Sequence, residues 1–421
     1  MKQSELFTRT SRSVSSDEAS LNARLLQQGG FISRELAGVY NFLPPGLRVL
    51  NKIISIIREE MNSIGGQEIM MSALQGQAAW EASRRWDDDE MDIWFKTSLK
   101  NGSMLGLAPT HEEPLTVLMK QFIHSYRDLP AFPYQFQTKF RNEKRAKAGI
   151  LRAREFIMKD LYSFCRNSSE LDEFYEEAKK AYSRIFSRLG LGGITYLTLA
   201  GGGTFSKFSH EFQTVCANGE DTVYIHGKDR IGINKEIFTD EILKEFNYKR
   251  EDFASEKTIE VGNIFKLGTK FSEALGLNYA DENDCRKPVV MGSYGIGPAR
   301  VMGTVVETYN DENGIIWPPG IAPYSVHLLS LGGNETVMKK SAELYEKIGR
   351  SGLEVLWDNR TDVHPGMKFS DADLIGCPLR LVVSQKTLKN GKAEIRHRSD
   401  GKTVFIDDSL VINYLMENLP E

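Results

Sequence analysis

The chain has 421 residues, 41% of them apolar and 26% charged, with a net charge of −4. That length exceeds one ordinary hydrophobic core, so two or more globular domains are expected. The composition excludes a globally basic nucleic-acid binder, and any polyanionic partner has to be met by a local basic patch. No apolar run approaches the ~20 residues of a membrane helix. The opening MKQSELFTRTSRS has no apolar signal core, which points to a cytoplasmic protein. Cys165, Cys216, Cys285 and Cys377 are scattered without a CxxC pair, which suits reduced thiols and argues against a zinc ribbon or a disulfide framework.

In chain order, residues 46–64 place Leu50, Ile53, Ile57, Met61 and Ile64 at helical spacing, and Gly65 and Gly66 end the helix. QEIMMSAL (67–74) has the pattern of a strand. Residues 132–141 and 151–164 have extended patterns and are joined by the basic KRAKAG loop as a hairpin. A second amphipathic helix is expected over about 169–189, capped by Ser169 and ended by Gly190. Strand-like pieces follow over 195–227 around the glycines at 201–203, and 228–258 is polar and partly helical. WPPGIAPY (317–324), with three prolines and a glycine, suits a stiff boundary between domains. Beyond it come strand 325–331, helix 335–350, strand 353–358, helix 367–375 and strand 379–384. A hairpin through Asp400 and Gly401 and a helix over 408–418 complete a compact α/β domain with a mixed sheet.

The densest basic stretch carries Lys139, Arg141, Lys144, Arg145, Lys147, Arg152, Arg154 and Lys159 against Glu143 and Glu155. Eight positive less two negative leaves +6 in a chain whose total is −4. A solvated loop is the bland interpretation. However, the arginines alternate with apolar residues in FRNE and LRAREFIMKD, which puts some of them on strand faces pointing into a cavity. A buried arginine needs an anionic partner, and a polyphosphate supplies one.

These residues carry a resemblance. FRNE (140–143), followed by Arg152, Phe156 and Asp160 at four-residue intervals, resembles motif 2 of class II aminoacyl-tRNA synthetases. GSYGIGPAR (292–300) resembles their motif 3, and the helix and strand over about 46–75 resemble motif 1, which usually builds a dimer interface. LAPTHEEPLT (107–116), FRNEKRAKAGILRAREFIMKDLYSF (140–164), SHEFQ (209–213), EVGNIFKLGTKFS (260–272) and DADLIGCP (371–378) resemble bacterial-type prolyl-tRNA synthetases over nearly the whole chain. The likeness is closest to the short form, because only the 223–260 segment stands where long forms carry an editing domain. Two departures are Ser72, where motif 1 has a proline, and Asn263, where the family often has a histidine.

The resemblance implies an α+β catalytic domain over 1–317, an antiparallel sheet flanked by helices, with motif 2 at about 138–164 and motif 3 at about 289–307. A linker at 318–324 and an anticodon-binding α/β domain over 325–421 would follow. It also implies a homodimer that uses ATP and Mg2+ to join L-proline to tRNA(Pro) through a prolyl-adenylate. The attacking carboxylate is already an anion, so positioning and charge neutralisation have to supply most of the acceleration. On this reading Arg141 meets the α-phosphate and the substrate carboxylate, and Glu143 the adenine amine or the tRNA end. Arg152 and Arg300 take the β- and γ-phosphates, and Phe156 is either an adenine stack or a core residue. Gly297 belongs to the ATP site, Ser293 to the proline site, and Glu211 and Gln213 to magnesium and ATP contacts.

Thr110 and Glu112 would take the proline ammonium from one face of an extended strand, leaving Glu113 as a surface carboxylate. His111 and His210 lack a third ligand at zinc spacing, so no zinc is expected. Asp358, Arg360, Lys368 and Asp371 are either anticodon readers or ordinary surface charges. Without the editing insert the chain is expected not to hydrolyse alanyl-tRNA(Pro), the error a proline pocket cannot strongly reject. Synthetases for threonine, serine or histidine share motifs 2 and 3, although threonine enzymes usually carry a zinc constellation that is missing here. A catalytically inactive synthetase-like RNA-binding or regulatory subunit would be expected to lose motif arginines, yet Arg141, Arg152 and Arg300 are all present.

Overall fold

A computed structural model describes residues 1–13, 20–144, 146, 148–203 and 207–419; Arg145 and Lys147 of the basic loop lie outside the described residues. Packing divides the chain into two compact units, Leu36–Val39 with Ile54–Thr304, and Met1–Glu35 with Tyr40–Ile53 and Val305–Glu421. The opening residues are thus grouped with the C-terminal region, a long-range association that no local sequence signal carries.

The larger unit is built on a nine-stranded sheet in the order Phe208–Val215, Thr195–Gly201, Ile231–Asn234, Asp221–His226, Phe253–Gly268, Val290–Ile296, Glu155–Cys165, Pro133–Phe140 and Gln67–Glu68. The 16-residue strand Phe253–Gly268 organises it. Its first part pairs with Asp221–His226, its middle with Phe208–Val215 and its end with Val290–Ile296, all antiparallel. The segment at 228–258 is partly helical as expected, with an α-helix at Asp240–Glu245 and 3-10 turns at Lys235–Ile237 and Arg250–Asp252, and it also enters the sheet through two strands. It packs Ile233, Phe238 and Leu243 into a small core of its own.

The hairpin of Pro133–Phe140 and Glu155–Cys165 is formed, with Tyr134 opposite Leu161 and Phe140 opposite Glu155. Helix Ser168–Arg188 lies against the sheet and buries Leu171, Phe174, Tyr175, Ala178, Tyr182, Ile185 and Phe186, the stripe its spacing dictates. Its cap is Asn167, whose side chain accepts from the Glu170 N–H, rather than Ser169. Asn167 holds the extended backbone that a cap requires, while Ser169 is already inside the helix. The strand expected at 67–74 is cut short. Only Gln67 and Glu68 pair in the sheet, and Leu74–Gly76 joins a separate three-stranded sheet with Met104–Leu107 and Phe95–Ser98. Met70 and Leu74 between and after them are exposed.

The smaller unit holds a five-stranded mixed sheet in the order Val355–Asp358, Val326–Leu331, Leu379–Ser384, Lys392–His397 and Thr403–Asp407. The first three strands run parallel and the last two antiparallel. Helices Glu335–Arg350, Pro365–Ile375 and Val411–Asn418 accompany it, each within three residues of its expected bounds. The proline-rich 317–324 stretch is packed rather than free. Trp317 Nε1 donates to Ile375 O, Lys52 Nζ to Ala322 O, and the Arg48 guanidinium sits 4.6 Å above the Tyr324 ring. Among the described residues no helix is long and apolar enough to cross a membrane.

Candidate active site

Strand alternation separates the two faces of the central sheet. On Glu155–Cys165, Lys159 points to the helix side, where Nζ donates to Tyr182 Oη and to Tyr294 O. Phe156, Met158, Asp160 and Tyr162 point the other way and line two cavities. Ser293 and Gly295 of the neighbouring strand join them there, and a Cβ at residue 295 would come within 2.9 Å of Asn263 Oδ1. Glycine at that position lets the strand approach Asn263 closely.

The first cavity, about 200 Å³, is bounded by Arg141, Glu143, Arg152, Phe156, Glu260, Gly297 and Arg300 among others. The second, about 310 Å³, is bounded by Arg85, Thr110, Glu112, Asp160, Tyr162 and Ser293 among others. Arg141, Met158, Asn263 and Gly295 line both. Arg141 thus stands where an anionic group shared by the two cavities would lie. Its Nε donates to Pro109 O at 3.2 Å, and its guanidinium lies 5.3 Å from the Phe156 ring centre. Burial lowers its pKa, while Glu112, Glu143 and Glu260 counter that shift.

Around the first cavity, Arg152 Nε stands 3.4 Å from Glu143 Oε2, and Arg154 clamps the Glu143 carbonyl through Nε and Nη2 at 3.1 and 2.9 Å. Arg300 donates to the carbonyls of Glu260 and Leu151. Glu211 and Gln213 line neither cavity. They lie on the adjacent strand, where Glu211 is opposite Asn263 and Gln213 opposite Glu260. Gln213 Nε2 donates to Glu211 at 2.8 Å and to Asp221 at 3.1 Å. Burial pushes the Glu211 carboxyl up to about 7, with the Glu260 charge adding to it.

In the second cavity Thr110 Oγ1 donates to Glu112 Oε2 at 2.5 Å, and Tyr162 Oη to Oε1 at 3.3 Å. Glu112 is not on a strand, as the sequence suggested, but opens helix Glu112–Met119, where the helix terminus favours an anion. Helical geometry also overturns the expected surface position of Glu113. That side chain is fully buried and paired with Arg85 at 3.0 Å, because a one-residue step on a helix turns it by 100° rather than to the opposite face.

The two histidines have separate partners: His111 Nδ1 meets Lys139 Nζ at 2.7 Å, and His210 Nδ1 meets Tyr175 Oη at 2.9 Å. Burial first, and nearby lysine charge next, pull both down to about 4. Among the described residues no group of three His, Cys, Asp or Glu side chains is placed to hold a metal ion. Sequence reasoning missed Arg85, in an unremarkable SRRW stretch, and Glu260, although EVGN lies within a stretch quoted for its resemblance.

The four C-terminal residues form a cluster. Asp358, Lys368 and Asp371 are buried, and Arg360 donates to both Asp358 oxygens at 2.9 and 2.6 Å and to Asp371 Oδ2 at 2.9 Å. Lys368 Nζ donates to Ser330 O at 2.8 Å, and Thr10 Oγ1 to Asp371 Oδ1 at 2.8 Å. These are interior charges paired with each other, not ordinary surface charges.

Comparison with known proteins narrows what this site belongs to. The family model of the class II tRNA synthetase core domain (G, H, P, S and T) matches residues 95–309, and that of the anticodon binding domain matches 325–418. A proline–tRNA ligase of Xanthobacter autotrophicus is 36% identical over 96% of this chain and 98% of its own length. The chain belongs to the proline–tRNA ligase family. A Caulobacter vibrioides ligase matches equally well, 36% over 431 aligned positions and 96% of each chain. Against the Macrococcus caseolyticus ligase, 32% identical, the alignment spreads over 554 positions while still covering 96% of this chain. This chain is therefore a short-form member of the family, without the inserted domain. A crystal structure of the Cryptosporidium parvum prolyl-tRNA synthetase with L-proline and AMP shares the fold, with a TM-score of 0.76 at 17% identity, covering 94% of this chain and 77% of that one. Synthetases for threonine, serine or histidine are set aside by this membership, and nothing supports an inactive family relative.

Proposed function

We propose that the chain ligates L-proline to tRNA(Pro) at the expense of ATP. The observation that carries this reading is the pair of cavities meeting at Arg141. ATP occupies the cavity of Arg152, Phe156, Gly297 and Arg300, with Glu143 at the adenine amine or the incoming tRNA end. Proline occupies the other, its ammonium on Glu112 and Thr110 and its ring toward Ser293 and Tyr162. Arg141 then neutralises charge on both the proline carboxylate and the α-phosphate. A carboxylate oxygen attacks the α-phosphorus, the bond to the bridging oxygen breaks, and pyrophosphate leaves. A terminal ribose hydroxyl of the tRNA next attacks the prolyl carbonyl, and AMP leaves. No general base is needed for the first step, because the nucleophile carries its charge already.

Magnesium fits beside this site. Glu211 and Glu260 are neighbouring carboxyls whose mutual repulsion contributes to the raised Glu211 value, and a divalent cation would relieve it. When bound it supplies charge neutralisation to the phosphates; Gln213 orients Glu211. Asp358, Arg360, Lys368 and Asp371 act as the rigid frame of an anticodon site in the C-terminal sheet. The exposed Met70 and Leu74 support a homodimer in which a second copy covers them. The cell compartment is the cytoplasm. Lacking the insert, the chain leaves alanyl-tRNA(Pro) intact.

The test is ATP–pyrophosphate exchange with each of the twenty amino acids, expected with proline and weakly with alanine. Exchange with none of them would make the chain a non-catalytic relative. Rapid hydrolysis of alanyl-tRNA(Pro) by the pure protein would overturn the editing claim.

A further inference from the structure

At the wall of the second cavity, Glu112, which lines it, and the buried Glu113 behind it share one arginine nitrogen. Arg85 Nη1 stands 3.0 and 3.2 Å from the two oxygens of Glu113 but 3.4 Å from Glu112 Oε2. Ser83 Oγ donates to Glu113 Oε1 at 2.7 Å and so fixes the nearer carboxylate. The guanidinium is confined between rings, 5.2 Å from the Trp80 centre and 5.4 Å from that of Phe271. It therefore has little freedom except to lean toward one glutamate or the other.

Resting on the reading of the site as a proline pocket, we propose that Glu113 is a positioning residue that holds Arg85 off Glu112 and so keeps the Glu112 carboxylate available to the substrate ammonium. Two glutamates less one arginine leave a net charge of −1, which a bound ammonium brings to zero. Without Glu113, Arg85 and Glu112 would neutralise each other, and the ammonium would have to displace a charge-assisted hydrogen bond.

The experiment is steady-state pyrophosphate exchange with proline on the full chain, comparing wild type, Glu113→Gln, Glu113→Asp and the double variant Arg85→Met/Glu113→Gln. In Glu113→Gln the proline KM is expected to rise about 10- to 100-fold while the ATP KM stays within about twofold. Glu113→Asp keeps the charge and is expected to recover most of that loss. The double variant removes the competing cation and is expected to bind proline better than Glu113→Gln alone, an outcome that a packing role could not produce. An unchanged proline KM in Glu113→Gln, or a double variant no better than the single one, overturns the proposal. If Glu113→Gln does not fold, Ser83→Ala takes its place, with a proline KM expected to rise about threefold, and an unchanged value overturns it. Failure of the wild type to exchange with proline would instead sink the substrate reading, so the two failures are distinct.

Discussion

In the C-terminal unit Asp358 and Asp371 face Arg360 and Lys368, with the exposed Arg12 3.5 Å from Asp371, whereas in the catalytic unit, among the described residues, Glu112 and Glu113 form ion pairs with Arg85 alone. Both clusters are buried, and their titration differs accordingly. Burial alone would raise Asp358, yet the Arg360 hydrogen bonds and the Lys368 charge hold it below its usual range. Burial, with the neighbouring Glu112 charge adding and Arg85 opposing, pushes Glu113 up to about 7. A balanced cluster is complete without a ligand and spends its charges on fixing the fold. An unbalanced one is complete only when a charge arrives, and here the missing charge has the sign of an amino-acid ammonium.

The sharpest way to break that comparison is to remove one arginine from each region. Arg141→Ala is expected to lower pyrophosphate exchange by roughly 10²–10³-fold, the loss seen when one preorganised donor to a developing charge is deleted. Its melting temperature should stay close to that of the wild type. Arg360→Met should do the opposite. Removing one partner of a buried pair strands the others, and about 3 kcal/mol of stability should be lost, the low end of the usual range because Arg360 keeps 14% of its side chain exposed. Exchange per folded molecule should be unchanged, since proline activation needs no anticodon. A catalytic defect in Arg360→Met with normal urea unfolding would reverse the assignments.

A smaller effect comes from acid. His327 is fully buried beside the balanced cluster, with Nε2 on Gln3 Oε1 at 2.9 Å. Burial, with the charges of Arg360, Arg380 and Lys368 and against that of Asp358, drives its pKa down to about 3. The folded value lies below the ordinary one near 6.5, so the neutral ring favours the folded state. That stability is fully present above about pH 6.5 and falls away as pH drops toward 3. Between pH 7 and 4.5 the wild type should lose about 2–3 kcal/mol more than His327→Gln, which cannot charge, as read from urea midpoints at the two pH values. Equal acid sensitivity in the two proteins would mean that His327 is not the group responsible.

The regions also differ in how far sequence exposes them. The C-terminal sheet was legible almost element by element, because strand and helix periods alternate there and helices Glu335–Arg350 and Val411–Asn418 carry apolar stripes, although Pro365–Ile375 instead buries Lys368 and Asp371. In the catalytic unit the hairpin, Arg141 and Arg152 stood out from basic residues alternating with apolar ones, and Arg300 from the resemblance of GSYGIGPAR to motif 3. Glu113 was not, because the residues around it suit a strand or a helix start equally well and its burial depends on Arg85, 28 positions earlier. Glu260 likewise gained its place only from the pairing of Phe253–Gly268 with three other strands. The packing of Thr10 onto Asp371 spans 361 positions and has no local signature.

The smallest expected effect concerns Ser72, where the family pattern has proline. Three carbonyl and amide groups brace this stretch: Met71 N donates to Gln135 Oε1, Met71 O accepts from Gln137, and Ser72 O accepts from His111 Nε2 at 3.1 Å. Proline at 72 would keep all three. Among the described residues the Ser72 N–H donates no hydrogen bond, so its removal costs no backbone bond. What disappears is the contact of Ser72 Oγ with Leu74 O on an exposed edge. Restricting the unfolded chain should add about 0.4–1 kcal/mol, offset by a few tenths for that bond. Ser72→Pro is therefore expected to shift unfolding by less than about 1 kcal/mol and to leave exchange unchanged. A loss above about 2 kcal/mol would mean that the backbone at Ser72 has moved away from the proline region. The edge that carries Met70 and Leu74 would then have a local geometry of its own, and the second copy proposed to cover it would meet a differently shaped surface.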